Sequence, residues 1–322
     1  MINSSKLKKY IIAIFFSLTF VYSNAPLKAD IKVVTTIQPL HSLVSNVMDG
    51  TGDLGLILEG SASPHNFSLK PSHAKMLEKA DVVFWFGEDL EIFLEKALKT
   101  IPTKAKIISF MKLKEIPKLK FREKNIFEHD DHKDEHKDEH KDGHDEHKDE
   151  HDHAHGEFDV HLWLDPINAK IMVKEIAHVL SDVDPSNAKK YNNNANKTLL
   201  KLDRMVLDIK KSINKRARFI TFHDAYQYFE IRFEVASMGA LTVNTDVQPG
   251  AKQISEIRKH VKEENIKCIF SEPQFNPKII KVIAESTNIK TGVFDPLGSS
   301  FKPGKSLYFS LINDLSKNLS GC

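Results

Sequence analysis

Three histidines and one aspartate in this 322-residue chain stand where a short apolar run gives way to a loop. They are His65 in Ser-Pro-His-Asn-Phe, His161 in Asp-Val-His-Leu-Trp-Leu-Asp-Pro, His223 in Thr-Phe-His-Asp-Ala-Tyr, and Asp295 in Val-Phe-Asp-Pro-Leu. Imidazole nitrogen and carboxylate oxygen together suit Zn²⁺ in a tetrahedral site. Ligands this far apart form no local motif such as His-Glu-x-x-His, so spacing alone says little, and a single histidine is more often structural than ligating. Their shared context says more, because the carboxyl ends of strands are where open α/β sheets bind ligands. His41, His73, His178 and His260 lie on helix-like stretches or polar faces and are read as structural.

Such residues need elements to hold them. From Ile31, short apolar runs predict strands over 31–35, 54–58, 82–86 and 106–108, alternating with helices over 40–48, 71–79 and 90–99. After an ordered stretch at 158–164 and a helix over 166–180, residues 185–214 place Leu199, Leu202, Met205, Val206 and Ile209 at helical spacing. A helix of that length spans roughly 40 Å, enough to act as a stiff strut between two lobes. The alternation then returns, with strands over 219–222, 233–236, 268–271 and 292–294 and helices over 225–229, 250–264 and 277–286, before a closing helix to Leu319. Alternation of this kind predicts an α/β protein built on parallel sheets.

Residues 1–29 read as a cleaved secretory signal: Lys6, Lys8 and Lys9 precede the apolar stretch Tyr10–Tyr22, which is too short to span a membrane, and Ala29 is a small residue at the cleavage position. No cysteine stands there to carry a lipid. Of 46 basic and 44 acidic residues the signal takes four lysines and no acids, so 42 basic against 44 acidic leaves a net charge of −2. That balance argues against a nucleic-acid partner. Export to an oxidising compartment predicts that Cys268 and Cys322 are paired.

Residues 128–155 break the pattern, being nearly pure His, Asp, Glu and Lys with a recurring His-Lys-Asp-Glu unit. With almost nothing apolar to pack, the segment is predicted to be a mobile surface loop. It carries His129, His132, His136, His140, His144, His147, His151, His153 and His155. Imidazoles four residues apart share one face of a helix, which makes the segment a candidate secondary zinc collector.

The local sequences add specificity. Glu59-Gly-Ser-Ala-Ser-Pro-His65-Asn-Phe-Ser-Leu-Lys-Pro-Ser72, Ala80-Asp-Val-Val-Phe-Trp-Phe-Gly87, Asp159-Val-His-Leu-Trp-Leu-Asp-Pro166 and Phe222-His-Asp-Ala-Tyr-Gln-Tyr-Phe229 resemble the metal-binding cluster of ABC-transporter solute-binding proteins, specifically the ZnuA-type zinc-binding proteins. Val247-Gln-Pro-Gly250, Phe270-Ser-Glu-Pro-Gln-Phe275 and Phe294-Asp-Pro-Leu-Gly298 fit the same pattern. The resemblance implies two similar α/β lobes, 30–184 and 215–322, with parallel-type sheets flanked by helices, bridged by a rigid helix over 185–214, with a metal cleft between them. It also implies a monomer in the periplasm that hands Zn²⁺ to a membrane permease, with the disulfide joining the strand before Ser-Glu-Pro-Gln to the chain's end. His65, His161 and His223 match the family's histidine ligands, and manganese-binding relatives usually hold a glutamate where His223 stands. Asp295 matches an aspartate that ligates metal in many members and is the expected fourth ligand, with water as the alternative. A glutamate found before the first histidine in some relatives is here Pro64, which cannot coordinate through its side chain. Asp159, Asp165 or Asp224 is a candidate carboxylate to orient the imidazoles, the choice among them being open in the sequence.

Three other readings compete. A zinc hydrolase would use the same three histidines with an open fourth position, but no hydrolase motif is recognisable. A manganese or iron carrier of the same family differs in ligand preference. An adhesin or storage protein would make the His-rich segment its main site.

Overall fold

The β-branched run Lys32–Thr35 forms strand β1, and a proline in the first turn starts helix α1 over Gln38–Val47. The first half continues with β2 (Asp53–Leu56), α2 (Pro71–Glu78), β3 (Val82–Trp85), α3 (Ile92–Thr100) and β4 (Lys106–Ser109). Helices α4 (Pro166–Val183) and α5 (Ala188–Ser212) follow, then β5 (Phe219–His223), α6 (Gln227–Phe233), β6 (Ser237–Thr242), α7 (Ala251–Glu263), β7 (Cys268–Ser271), α8 (Lys278–Thr287), β8 (Lys290–Val293) and α9 (Leu307–Leu319). This computed structural model describes residues 30–101, 104–122, 156–242 and 249–322. The predicted signal, the His-rich segment and Val247 and Gln248 of the Val-Gln-Pro-Gly motif lie outside them.

Two four-stranded parallel sheets result, ordered β2-β1-β3-β4 and β6-β5-β7-β8. In each, the first strand of the half lies between the second and the third, so the two halves repeat one topology. Val33, Val34, Val82, Val83 and Phe84 are all buried, as parallel strands covered by helices on both faces must be. Separate apolar clusters cover the outer faces: Ile57, Leu77 and Leu94 on the first sheet, and Ile257, Ile269 and Ile283 on the second. The inner faces instead share one core, which runs from Leu40 and Phe84 through Leu202 and Met205 of α5 to Phe219, Phe270 and Phe294.

Helix α5 has 25 residues, about 37 Å at 1.5 Å per residue. The predicted strut is present, except that Pro185–Asn187 form a separate 3₁₀ turn before it. Tyr191, Ala195, Leu202, Met205, Val206 and Ile209 face the core, while Leu200 and Leu207 face outward. Helix α9 follows the second sheet in sequence but packs on α1 of the first half. There the Tyr308 N–H donates to Ser42 Oγ at 3.0 Å, and Lys305 pairs with Asp49 at 2.8 Å. Its far end is tied to β7 by the predicted Cys268–Cys322 disulfide.

The strand predicted at 233–236 is corrected. Phe233 closes α6, Glu234 takes the left-handed conformation (φ 56°) that ends the helix, and β6 begins only at Ser237. Phe233 and Val235 are apolar because they pack under that helix end, not because they alternate along a strand. The true strand, Ser-Met-Gly-Ala-Leu-Thr, is wholly buried yet poor in β-branched residues, so its signal is weak.

Candidate metal centre

Pro64 starts a 3₁₀ turn over Pro64–Asn66, and Ser63 caps it by accepting the His65 N–H at 3.3 Å. This turn follows β2 and holds His65 half-buried at the carboxyl edge of the first sheet. His161 precedes the 3₁₀ turn Leu162–Leu164, which leads into α4. The backbone N–H and Nδ1 of His161 both lie on Asp159 Oδ1, at 2.9 and 2.7 Å. Gln227 of α6 holds the other oxygen of Asp159 at 3.2 Å. His223 is the last residue of β5, and its Nδ1 lies 2.7 Å from Glu272 Oε1, just past the end of β7.

A carboxylate on Nδ1 fixes that nitrogen as the proton carrier and makes Nε2 the atom suited to bind a metal. The Nε2 atoms of His161 and His223 are 3.3 Å apart. Two nitrogens bound to one tetrahedral zinc, each about 2.0–2.1 Å from the metal, stand about 3.3–3.4 Å apart. His65 completes the group, with ligand atoms of all three histidines within 4.8 Å of one another. Among the described residues, no other set of histidine, cysteine and carboxylate groups gathers in this way. His161 and His223 are buried, and Trp163 and Phe275 form apolar walls beside them.

Burial works against a charged His223, but the adjacent charge of Glu272 and its hydrogen bond outweigh that and raise the imidazole above its ordinary value. Burial pushes Asp159 up to about 7, with the His161 N–H pulling the other way. The same cause pushes Asp224 up to about 7 against the opposing charge of Arg122. Zinc binds the deprotonated imidazole, so its capture displaces protons and weakens as pH falls.

The four predicted ligands do not all converge. Asp295 is buried near the site, but its carboxylate does not join the three imidazoles. Oδ1 accepts from Gln274 Nε2 at 3.1 Å and Leu297 N at 3.3 Å; Oδ2 accepts from Ser299 Oγ, Ser300 N and Ser300 Oγ at 2.9, 3.0 and 3.2 Å. Of the three candidate carboxylates, only Asp159 orients an imidazole directly. Asp165 caps α4 through the Ile167 N–H and takes both arms of Arg232, at 2.7 and 2.8 Å. Asp224 pairs with Arg122 at 3.1 Å, and the same guanidinium reaches Glu230 at 2.7 Å. Glu272 is the orienting residue that sequence reasoning missed, although it follows the apolar run 268–271 as His223 follows 219–222.

Replacing either orienting carboxylate by its amide, Asp159→Asn or Glu272→Gln, is expected to weaken zinc binding about 10–100-fold. Competition against a chelator measures this, and unchanged affinity in both variants would remove the two carboxylates from the site.

The fold and the cluster define a two-lobed binding protein with a metal site built on the carboxyl ends of two parallel sheets. A family model described as zinc-uptake complex component A, periplasmic, matches residues 33–322, and the chain belongs to that family. It is 46% identical over 303 residues to the high-affinity zinc uptake system protein ZnuA of Brucella abortus (strain 2308), covering 90% of this chain and 91% of that protein. The protein of the same description from Yersinia pestis is 33% identical over 297 residues, covering 91% and 92%. A crystal structure of ZnuA superposes with a TM-score of 0.71 at 21% identity, covering 90% of this chain and all of that one, which shows the common fold.

Proposed function

We propose that this protein is the periplasmic zinc-binding component of an ABC transporter, capturing one Zn²⁺ on His65, His161 and His223 and delivering it to the membrane permease. The observation that carries the reading is the 3.3 Å separation of the Nε2 atoms of two imidazoles whose Nδ1 atoms are each held by a carboxylate. Three imidazoles favour zinc over manganese, which prefers carboxylate and water oxygen. Carriage fits better than hydrolysis, because the carboxylates nearest the imidazoles, Asp159 and Glu272, are engaged on Nδ1 atoms rather than poised as a general base. The protein works as a monomer, exported after removal of residues 1–29, and the nine histidines of 128–155 collect zinc more weakly than the cleft does. Among the described residues no helix is long and apolar enough to cross a membrane.

The test is zinc uptake at scarce metal in a strain lacking the gene, complemented with wild type or with the combined His65→Ala, His161→Ala and His223→Ala variant. Wild type is expected to restore uptake and the variant to fail. Equal restoration by both would overturn the proposal.

A further inference from the structure

Gln274 stands two residues beyond Glu272, on the turn that leaves β7, and lines the cleft together with the three histidines. Its side-chain amide is held by Asp295, whose Oδ1 accepts from Nε2 at 3.1 Å. A carboxylate oxygen accepts and does not donate, so this contact decides which amide atom is nitrogen and fixes Oε1 as the other. Oε1 is buried and accepts no hydrogen bond. A buried carbonyl oxygen without a donor calls for an explanation, and an oxygen that lines the same cleft as three clustered imidazoles has a natural one in a cation.

Asp295 is in the opposite condition. Five donors occupy its two oxygens, four of them from Leu297, Ser299 and Ser300 of its own loop and the fifth from Gln274. A turn of the aspartate toward the metal would strip those donors, several of them buried, of their acceptor. Gln274 Oε1 has no hydrogen bond to give up.

We infer that Gln274 supplies the fourth ligand, presenting Oε1 to the ion held by the histidines, and that Asp295 acts on the ion only through Gln274. The inference rests on the zinc reading of the histidine cluster. A neutral amide oxygen leaves the four-ligand set uncharged, so the site's selectivity rests on its three imidazoles.

The test is a double-mutant cycle on the mature protein, with zinc affinity read by chelator competition. Gln274→Met keeps length and flexibility and removes both polar atoms. It is expected to weaken zinc 10–100-fold, Asp295→Asn to weaken it less, and the double variant to match Gln274→Met alone, as two residues on one path do. The d–d absorption of bound Co²⁺ is expected to change in Gln274→Met, which a merely structural role would not produce, and this readout stands even if Asp295→Asn fails to fold. Unchanged affinity and spectrum in Gln274→Met would overturn the inference, as would a larger loss in Asp295→Asn or losses that multiply in the double variant. His223→Ala runs beside them: if it too binds zinc normally, the histidine site itself is refuted, whereas normal binding by Gln274→Met alone refutes only the role of Gln274.

Discussion

Zinc affinity is expected to fall about a thousandfold when His223 is replaced by alanine. Structural zinc sites bind with about 10–16 kcal/mol, so one ligand of four carries roughly 3–4 kcal/mol. Each 1.4 kcal/mol is about a tenfold change in affinity. The loss has a second source: Glu272 is fully buried and its Oε1 faces the imidazole at 2.7 Å, so the truncation strands a carboxylate together with removing a ligand. His161→Ala is expected to behave alike, because Asp159 is equally buried behind it. His65 is the least buried of the three. His65→Ala removes a ligand and is expected to weaken zinc binding as well. Chelator competition reads all three, and a His223→Ala variant within tenfold of wild type would rule out a direct bond from that residue.

Loss of the Cys268–Cys322 bridge is expected to be the largest single blow to stability. The two residues are 54 apart in sequence, and closing a loop of that length is worth about 4 kcal/mol by the chain-entropy relation. At roughly 2–4 °C per kcal/mol for a chain of this size, paired Cys268→Ser and Cys322→Ser substitutions are expected to lower Tm by about 10 °C. The bridge joins the start of β7 to the residue that follows α9 by three positions, while Glu272 stands beyond the opposite end of β7. Zinc affinity is accordingly expected to stay within a few-fold of wild type in the same variant. Thermal unfolding checks the first part and chelator competition the second. An unshifted Tm would show that α9 is held by its packing on α1 alone.

How much of this was legible beforehand follows from where each signal lies. Strands such as Val82–Trp85, buried on both faces, announce themselves as unbroken apolar runs. Helix α5 shows its one-sided apolar spacing over seven turns. The histidines stood out because strand-end position is itself a sequence feature and because their flanking residues are specific to one family. Strand β6 was misplaced because Ser237, Gly239 and Ala240 pack well without advertising it. The direction of the Asp295 carboxylate was not legible because four hydrogen bonds from its own loop and one from Gln274 set it, and loop conformation leaves little periodic trace. The pairing of Glu272 with His223 spans 49 residues and two adjacent strands, a register that only the folded sheet sets. The single core shared by the two inner faces was invisible for the same reason.

On the proposed function the cleft, and not the His-rich segment, is the tight zinc site. Competition with a zinc chelator should be run on the mature protein, on a variant lacking residues 129–155, and on the combined His65→Ala, His161→Ala, His223→Ala variant. The deletion variant is expected to keep one tightly bound zinc and the triple variant to lose it. Tight binding that disappears with the deletion while surviving in the triple variant would contradict that function, and would make the protein a sequestrant built on its acidic, histidine-rich segment.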